Sequence, residues 1–241
     1  MSIQQMLLGA GGSSPVESGG SVFFDANENI ITNTGSMQVF NFDQNQSFCV
    51  EAFIKMDTMS RYNYVALRWS GAATGYLWRF GVDTNNKLFF AGKINASQSS
   101  ATMTTDTWYH VAAVREGTNQ GYLNYLRLYI NGTEVASNSG SGTPMESNNE
   151  PISIGANREA LQYSMRGYVS NLRITNNQPV YTSSFTTPTE KLTKTSQGVT
   201  ASNVRLLCCQ DTTDVTAAEH VQLGSLSIDS GTPTASTSNP F

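Results

Sequence analysis

Acid–base or nucleophilic catalysis by a carboxylate pair needs two acids on one face of one element, and on a strand that means positions two apart. In the stretch Phe48–Met56 the only acid is Glu51, and position 53, where a partner would stand, is Phe53. No other strand-like stretch carries alternating acids. There is no G-x-S-x-G elbow for a serine nucleophile. His110 lies within a strand pattern, on the face of Trp108 and Ala112, and reads as a sheet histidine bonded to a neighbour. The cysteines are Cys49, Cys208 and Cys209, an odd count with two adjacent, which is not a disulfide framework. Adjacent strand positions point to opposite faces, so at most one of Cys208 and Cys209 is expected in the core. Two histidines, His110 and His220, with no CxxC or HExxH, do not supply a zinc site. The expectation is a protein with no catalytic residue.

The elements that would position these groups are strands. Residues 47–57, SFCVEAFIKMD, alternate strictly: Phe48, Val50, Ala52, Ile54 and Met56 share one face, and Cys49, Glu51, Phe53 and Lys55 the other. A period of two predicts a half-buried strand. The same reading applies to 64–69, 76–82, 87–92, 108–115, 125–130, 152–155, 167–175 and 204–209. Turn residues separate them, and Asn131-Gly132 between YLRLYI and TEVAS predicts a hairpin with positive φ at both central positions. No long amphipathic helix is apparent. The fold class expected is all-β, a two-sheet antiparallel jelly-roll sandwich over residues 21–216, with an N-terminal arm over 1–20 and an extended C-terminal tail over 217–241.

Composition narrows the partners. With 241 residues, 39% hydrophobic, 13% charged and a net charge of −4, the chain can bury a full core but lacks the basic surface of a nucleic-acid binder. Met6-Leu7-Leu8 is far short of the ~20 residues of a membrane span, and no basic residues precede it as in a secretory signal. Synthesis in a cytoplasm, followed by use there or release by lysis, is the expectation.

Six segments, in order, resemble the laminin G-like branch of the concanavalin A-like lectin/glucanase superfamily. They are SVFFDANENIIT, FCVEAFIKMD, TWYHVAAVR, LRLYINGTEVAS, ISIGANRE and GYVSNLRITNNQPVYTSSFTTPTEKLT. The last of these, with VRLLCCQD and the terminal NPF, is most similar to versions found in structural proteins of tailed phages. The resemblance implies a concanavalin A-like sandwich on a virion surface, made in the host cytoplasm, present in many copies or as a homo-oligomer, and bound to other virion proteins. Glucanases of the superfamily carry E-x-D-x-x-E on one strand, with carboxyls ~5–5.5 Å apart in retaining enzymes. Glu51 alone does not meet that need, so a degenerate glycoside hydrolase is the lesser alternative.

Relatives of this fold hold Ca²⁺ at the sheet rim, where six to eight oxygens are needed. The candidates are Asp25 with Asn27 and Asn29, and Asp83 with Asn85. Each group has one carboxylate, enough for a weak site, and each also suits a turn. A glycan needs an aromatic platform beside hydrogen-bonding groups. Tyr62, Trp69, Tyr76 and Trp78 cluster in sequence, but Tyr76, Trp78, Phe80 and Val82 alternate onto one face as core residues would. The opposite faces offer Arg68 (if Val65, Leu67 and Trp69 point inward), Arg79, Arg127 with Tyr129, and Asn171 with Arg173. These six are expected to project from a sheet toward a glycan or acidic partner, or simply toward solvent and partners such as Glu51. Ile3, Met6, Leu7 and Leu8, ahead of Gly9, Gly11 and Gly12, form an apolar tip on a flexible tether and read as a docking segment for other virion subunits. A carbohydrate-binding module that reads a receptor from a tail fibre is the other alternative.

Overall fold

The computed structural model describes residues 19–26, 29–32, 37–42, 46–69, 76–92, 96–117, 125–139, 150–157 and 163–241. Its strands are β1 (Ser21–Asp25), β2 (Asn29–Thr32), β3 (Phe48–Met56), β4 (Asn63–Trp69), β5 (Tyr76–Val82), β6 (Lys87–Gly92), β7 (Ala96–Thr102) and β8 (Tyr109–Glu116). The series continues with β9 (Tyr125–Ile130), β10 (Thr133–Ser139), β11 (Ile152–Ile154), β12 (Arg166–Asn176), β13 (Val204–Cys208), β14 (Ala218–Val221), β15 (Leu226–Ser230) and β16 (Thr234–Ser236). They form two antiparallel sheets. Sheet I runs β10-β9-β8-β3-β12-β1-β16, with β13 and then β14 branching from β12; sheet II runs β15-β2-β11-β4-β5-β6-β7. The chain is the all-β sandwich that its periodicity predicted.

Between the sheets, Phe48, Val50, Ala52, Ile54 and Met56 of β3 meet Trp78, Phe80 and Phe90 from the other layer. Phe42 stacks on Phe48 at 4.0 Å between ring centroids. Asn131 and Gly132 turn the β9–β10 hairpin with φ of 47° and 74°. Gly132 is required there twice over, because a Cβ would also overlap the Phe185 carbonyl.

Two irregularities decide where side chains point. A bulge in β4 between Tyr64 and Ala66 places both Val65 and Ala66 in the core and turns Leu67 outward. A second bulge in β12, between Ser170 and Arg173, has Asn171 at φ 54°. It lies where β12 changes partners, from β1 on its first half to β13 on its second. The last residues, expected as an extended tail, are built into both layers. β14 adds to β13, β15 extends sheet II through β2, and β16 extends sheet I through β1. Phe241 ends the chain edge-on to Phe53, at 5.1 Å.

Candidate functional site

The outer face of sheet I, expected to be half-open, is a second core. The segment from Gln178 to Asn203 crosses it. Tyr181 packs with Cys49, Ala112, Val114 and Tyr129, while Leu192 and Val199 pack with Phe53, Val204 and Leu207. At its centre Glu51 is fully buried among Arg173, Tyr181, His110 and Cys49, whose Sγ lies 3.9 Å from Oε1. Arg173 donates from Nε to Oε1 at 2.8 Å, and its Nη2 stands 2.7 Å from the same oxygen as a charge contact outside hydrogen-bond alignment. Tyr181 donates its hydroxyl to Oε2 at 2.8 Å. His110 Nε2 lies 3.1 Å from Oε2, and since a carboxylate only accepts, that nitrogen carries the proton. Burial pushes the Glu51 carboxyl up, but the Arg173 charge and the bonds from His110 and Tyr181 outweigh it and lower its pKa from 4.5 to about 2. Burial and Glu51 together hold the Tyr181 phenol far above its ordinary value. So enclosed, the carboxylate ties β3, β8 and β12 to the covering segment.

This burial corrects four of the six proposed surface residues. Arg173 faces outward from sheet I as expected, but onto Glu51 and the Thr193 and Ser196 carbonyls. Tyr129 lies under Tyr181 and Phe185. Asn171 is buried in its bulge, its Oδ1 accepting from the Leu192 amide and from Gln210. Arg68 is fully buried: the β4 bulge inverts the parity on which its outward reading depended, and it donates to Asn41 and to the Glu150 carbonyl. Burial lowers the Arg68 pKa to about 10, Glu150 acting in the opposite direction. Arg127 is part-exposed and paired with Glu116 at 2.7 Å and Glu134 at 3.6 Å. Only Arg79 stands on a surface with the shape of a site.

That surface is the outer face of sheet II. Leu67 pairs with Arg79, Arg79 with Ala91, Tyr64 with Gly81, Gly81 with Phe89 and Phe89 with Gln98, so these side chains share one face. Gly81 sits against the Asn63 carbonyl too closely for a Cβ. Its missing side chain lets the Tyr64 and Phe89 rings meet across it at 5.9 Å. Tyr62 joins at 5.7 Å from Tyr64, and Tyr163 at 5.5 Å from Tyr62. Beside this aromatic group is a hollow of about 280 Å³, lined in part by Tyr62, Arg79, Asp83, Phe89, Ser97 and Gln98. Small side chains at Ala91 and Ser97 leave the space. Arg79 lies over the Phe89 ring at 5.9 Å and donates to Tyr64 Oη at 3.4 Å. The chain pattern gave Arg79 and Tyr62; Phe89, Tyr163 and Gln98 were missed, and only the outward parity of Phe89 in KLFFAG could have signalled them. Of the other aromatics proposed, Trp78 is in the main core, and the side chains of Trp69 and Tyr76 lie outside the described residues.

Of the two rim clusters proposed for Ca²⁺, the first is split, Asp25 closing β1 of sheet I and Asn29 opening β2 of sheet II, and the second follows β5 of sheet II. Asp83 follows β5 and is buried, with Oδ1 accepting from the Asn85 and Lys87 amides at 2.9 and 3.0 Å and Oδ2 from Gln98. It behaves as the turn residue that its spacing also allowed. Asp25 is exposed at the end of β1, 3.7 Å from Arg166. Asn27 and the arm residues Ile3, Met6, Leu7 and Leu8 lie outside the described residues. Among the described residues, no group of three or more His, Cys, Asp or Glu side chains is placed to hold a metal ion.

A model of the concanavalin A-like lectin/glucanases superfamily, in its laminin G form, matches residues 26–179. No curated protein matches the sequence. Among solved structures, a candidate carbohydrate binding protein from Bacteroides ovatus superposes with a TM-score of 0.59 at 16% identity, over 90% of this chain. The chain spans only 58% of that protein's length. The native heptameric SAP-like pentraxin of Limulus polyphemus gives a TM-score of 0.53 at 14% identity, over 91% of this chain and 96% of that one. At such identities the structures attest the fold alone, but the family match covers more than half of the sequence: the chain belongs to the concanavalin A-like lectin/glucanase superfamily, as a laminin G-like domain.

Proposed function

We propose that the protein is a non-catalytic carbohydrate-binding module whose glycan seats on the outer face of sheet II. The observation that carries this reading is the hollow lined by Tyr62 and Phe89, with the Arg79 guanidinium over the Phe89 ring and Gln98 beside it. Sugars need that combination: ring C–H faces pack on aromatics, and hydroxyls take up fixed polar groups. The carbohydrate-binding name of the Bacteroides ovatus structure agrees with it. Glu51, the acid in the strand where the superfamily's glucanases place theirs, is sealed on the opposite sheet, which supports a binding rather than a hydrolytic role. Glycan-array screening followed by calorimetry on the best ligand tests the reading. Tyr62→Ala and Arg79→Ala should each weaken binding roughly tenfold, about 1.4 kcal/mol. Binding that both variants leave intact would remove the site. Because both Asp83 oxygens already accept hydrogen bonds, chelation with EDTA should leave the affinity unchanged.

The wider setting in this reading is the exterior of a tailed-phage virion, with multiple copies held to other virion subunits by the arm over residues 1–20. Its support is the resemblance of the segments around 167–193 and 204–211 to phage structural proteins. Deleting residues 1–20 should abolish incorporation into particles while leaving the fold and any glycan affinity intact; normal incorporation would overturn the docking role.

A further inference from the structure

Cys208 and Cys209 were expected on opposite faces, and they are not. Cys208 ends β13 with its side chain in the core between the sheets, and Cys209 follows at φ 63°, a left-handed conformation that turns the next side chain back to the same side. Both are buried in the main core, and their sulfurs are 3.5 Å apart. The backbone around them is held: the Cys208 position pairs with Leu172 and Ala218, and the Cys209 carbonyl accepts the Asn171 amide at 3.1 Å. Non-glycine residues keep a positive φ only where the surrounding structure over-determines it, and such strain gathers at sites with a use.

We propose that Cys208 and Cys209 are a modification site, at which a peroxide closes a disulfide between neighbouring residues. One thiolate takes an oxygen from hydrogen peroxide, giving a sulfenic acid and, after proton transfer, one water. The adjacent thiol then attacks that sulfur, forming the S–S bond and releasing the oxygen as a second water. Two thiols are oxidised and one peroxide is reduced, with no other reactant. The route in is β14, a half-exposed strand paired, among the described residues, with β13 alone and irregular in register at Cys208. Burial pushes the Cys208 thiol well up, so closure is slow and follows opening of that edge. Cys49 is a built-in control, since it belongs to the cluster on the opposite face of sheet I.

The test is peroxide treatment of the folded protein, quenching, and thiol titration in denaturant without reductant. Titratable thiols should fall from three to one. No Lys or Arg follows Arg205, so trypsin releases 206–241 as one peptide, which should be lighter by two hydrogens, about 2 Da, and regain them on reduction. Three surviving thiols, or a 206–241 peptide heavier by oxygen, would overturn the site. Cys209→Ser should show no such mass loss; a loss in that variant would also overturn it. The wild-type measurement decides the matter even if the variant folds poorly.

Discussion

The outer faces of the two sheets were built from the same strand chemistry and ended in opposite states. On sheet I, Glu51, His110, Arg173 and Tyr129 are all buried under a covering segment and bonded to one another or packed against it. On sheet II, Tyr62 and Arg79 stay half-buried and Gln98 is exposed, around a hollow. Polar side chains pointing away from the core therefore say little about binding. What distinguishes the faces is whether more chain lies across them, and the covering residues beyond Pro179 lie outside the stretch that matches the family. The sealed face needs its charges paired, because a buried charge is tolerated only with a partner.

The largest expected effect breaks that pairing. Arg173→Ala leaves the Glu51 charge buried and should destabilise the protein by about 3–5 kcal/mol, read by denaturant unfolding. A loss under about 1 kcal/mol would mean that the face is wetter than its burial indicates. Acid titration of stability probes the same pairing. The folded pKa of Glu51 is below the unfolded one, so its contribution is complete above the ordinary value of 4.5 and disappears as pH falls toward about 2. Unfolding free energy should decline across that window, and Glu51→Gln should flatten the decline; equal acid limbs in both proteins would refute the assignment. On the open face, Arg79→Ala should move stability by no more than about 0.5 kcal/mol while reducing glycan affinity. Arg127→Ala should leave glycan affinity unchanged and cost only a few tenths of a kcal/mol, roughly 0.2–0.5, and less in high salt, since its pair with Glu116 is part-exposed.

Some of this was readable in advance. The alternation of residues 48–56 placed Phe48, Val50, Ala52, Ile54 and Met56 in the core, and the histidine in TWYHVAAVR was read as bonded to a neighbour, which proved to be Glu51. Asn131-Gly132 formed its hairpin because the turn needs positive φ that few residues supply cheaply. The arginines were misplaced for particular reasons. Arg68 went inward because the bulge between Tyr64 and Ala66 reverses the parity of Leu67 and Arg68 after it. Arg173 pointed the right way, but its cover arrives from residues that carry no strand pattern. Of the candidate site, Arg79 and Tyr62 were visible as outward or flanking residues, whereas Phe89 and Gln98 join them only through cross-strand register.

Most strands up to Cys208, where the sharpest turn falls and the lack of alternating acids were legible along the chain, because backbone sterics, two-residue periodicity and side-chain chemistry act locally; β7 and the strands β14, β15 and β16 of the expected tail were not. Which outward face is sealed, which stays open, and that two neighbouring thiols share one side of a sheet emerged only in the assembled molecule. Those outcomes depend on bulges, on a single left-handed residue and on contacts between positions more than a hundred residues apart, such as Glu51 with Arg173 and Tyr181, whose energy exists only once the chain has closed on itself.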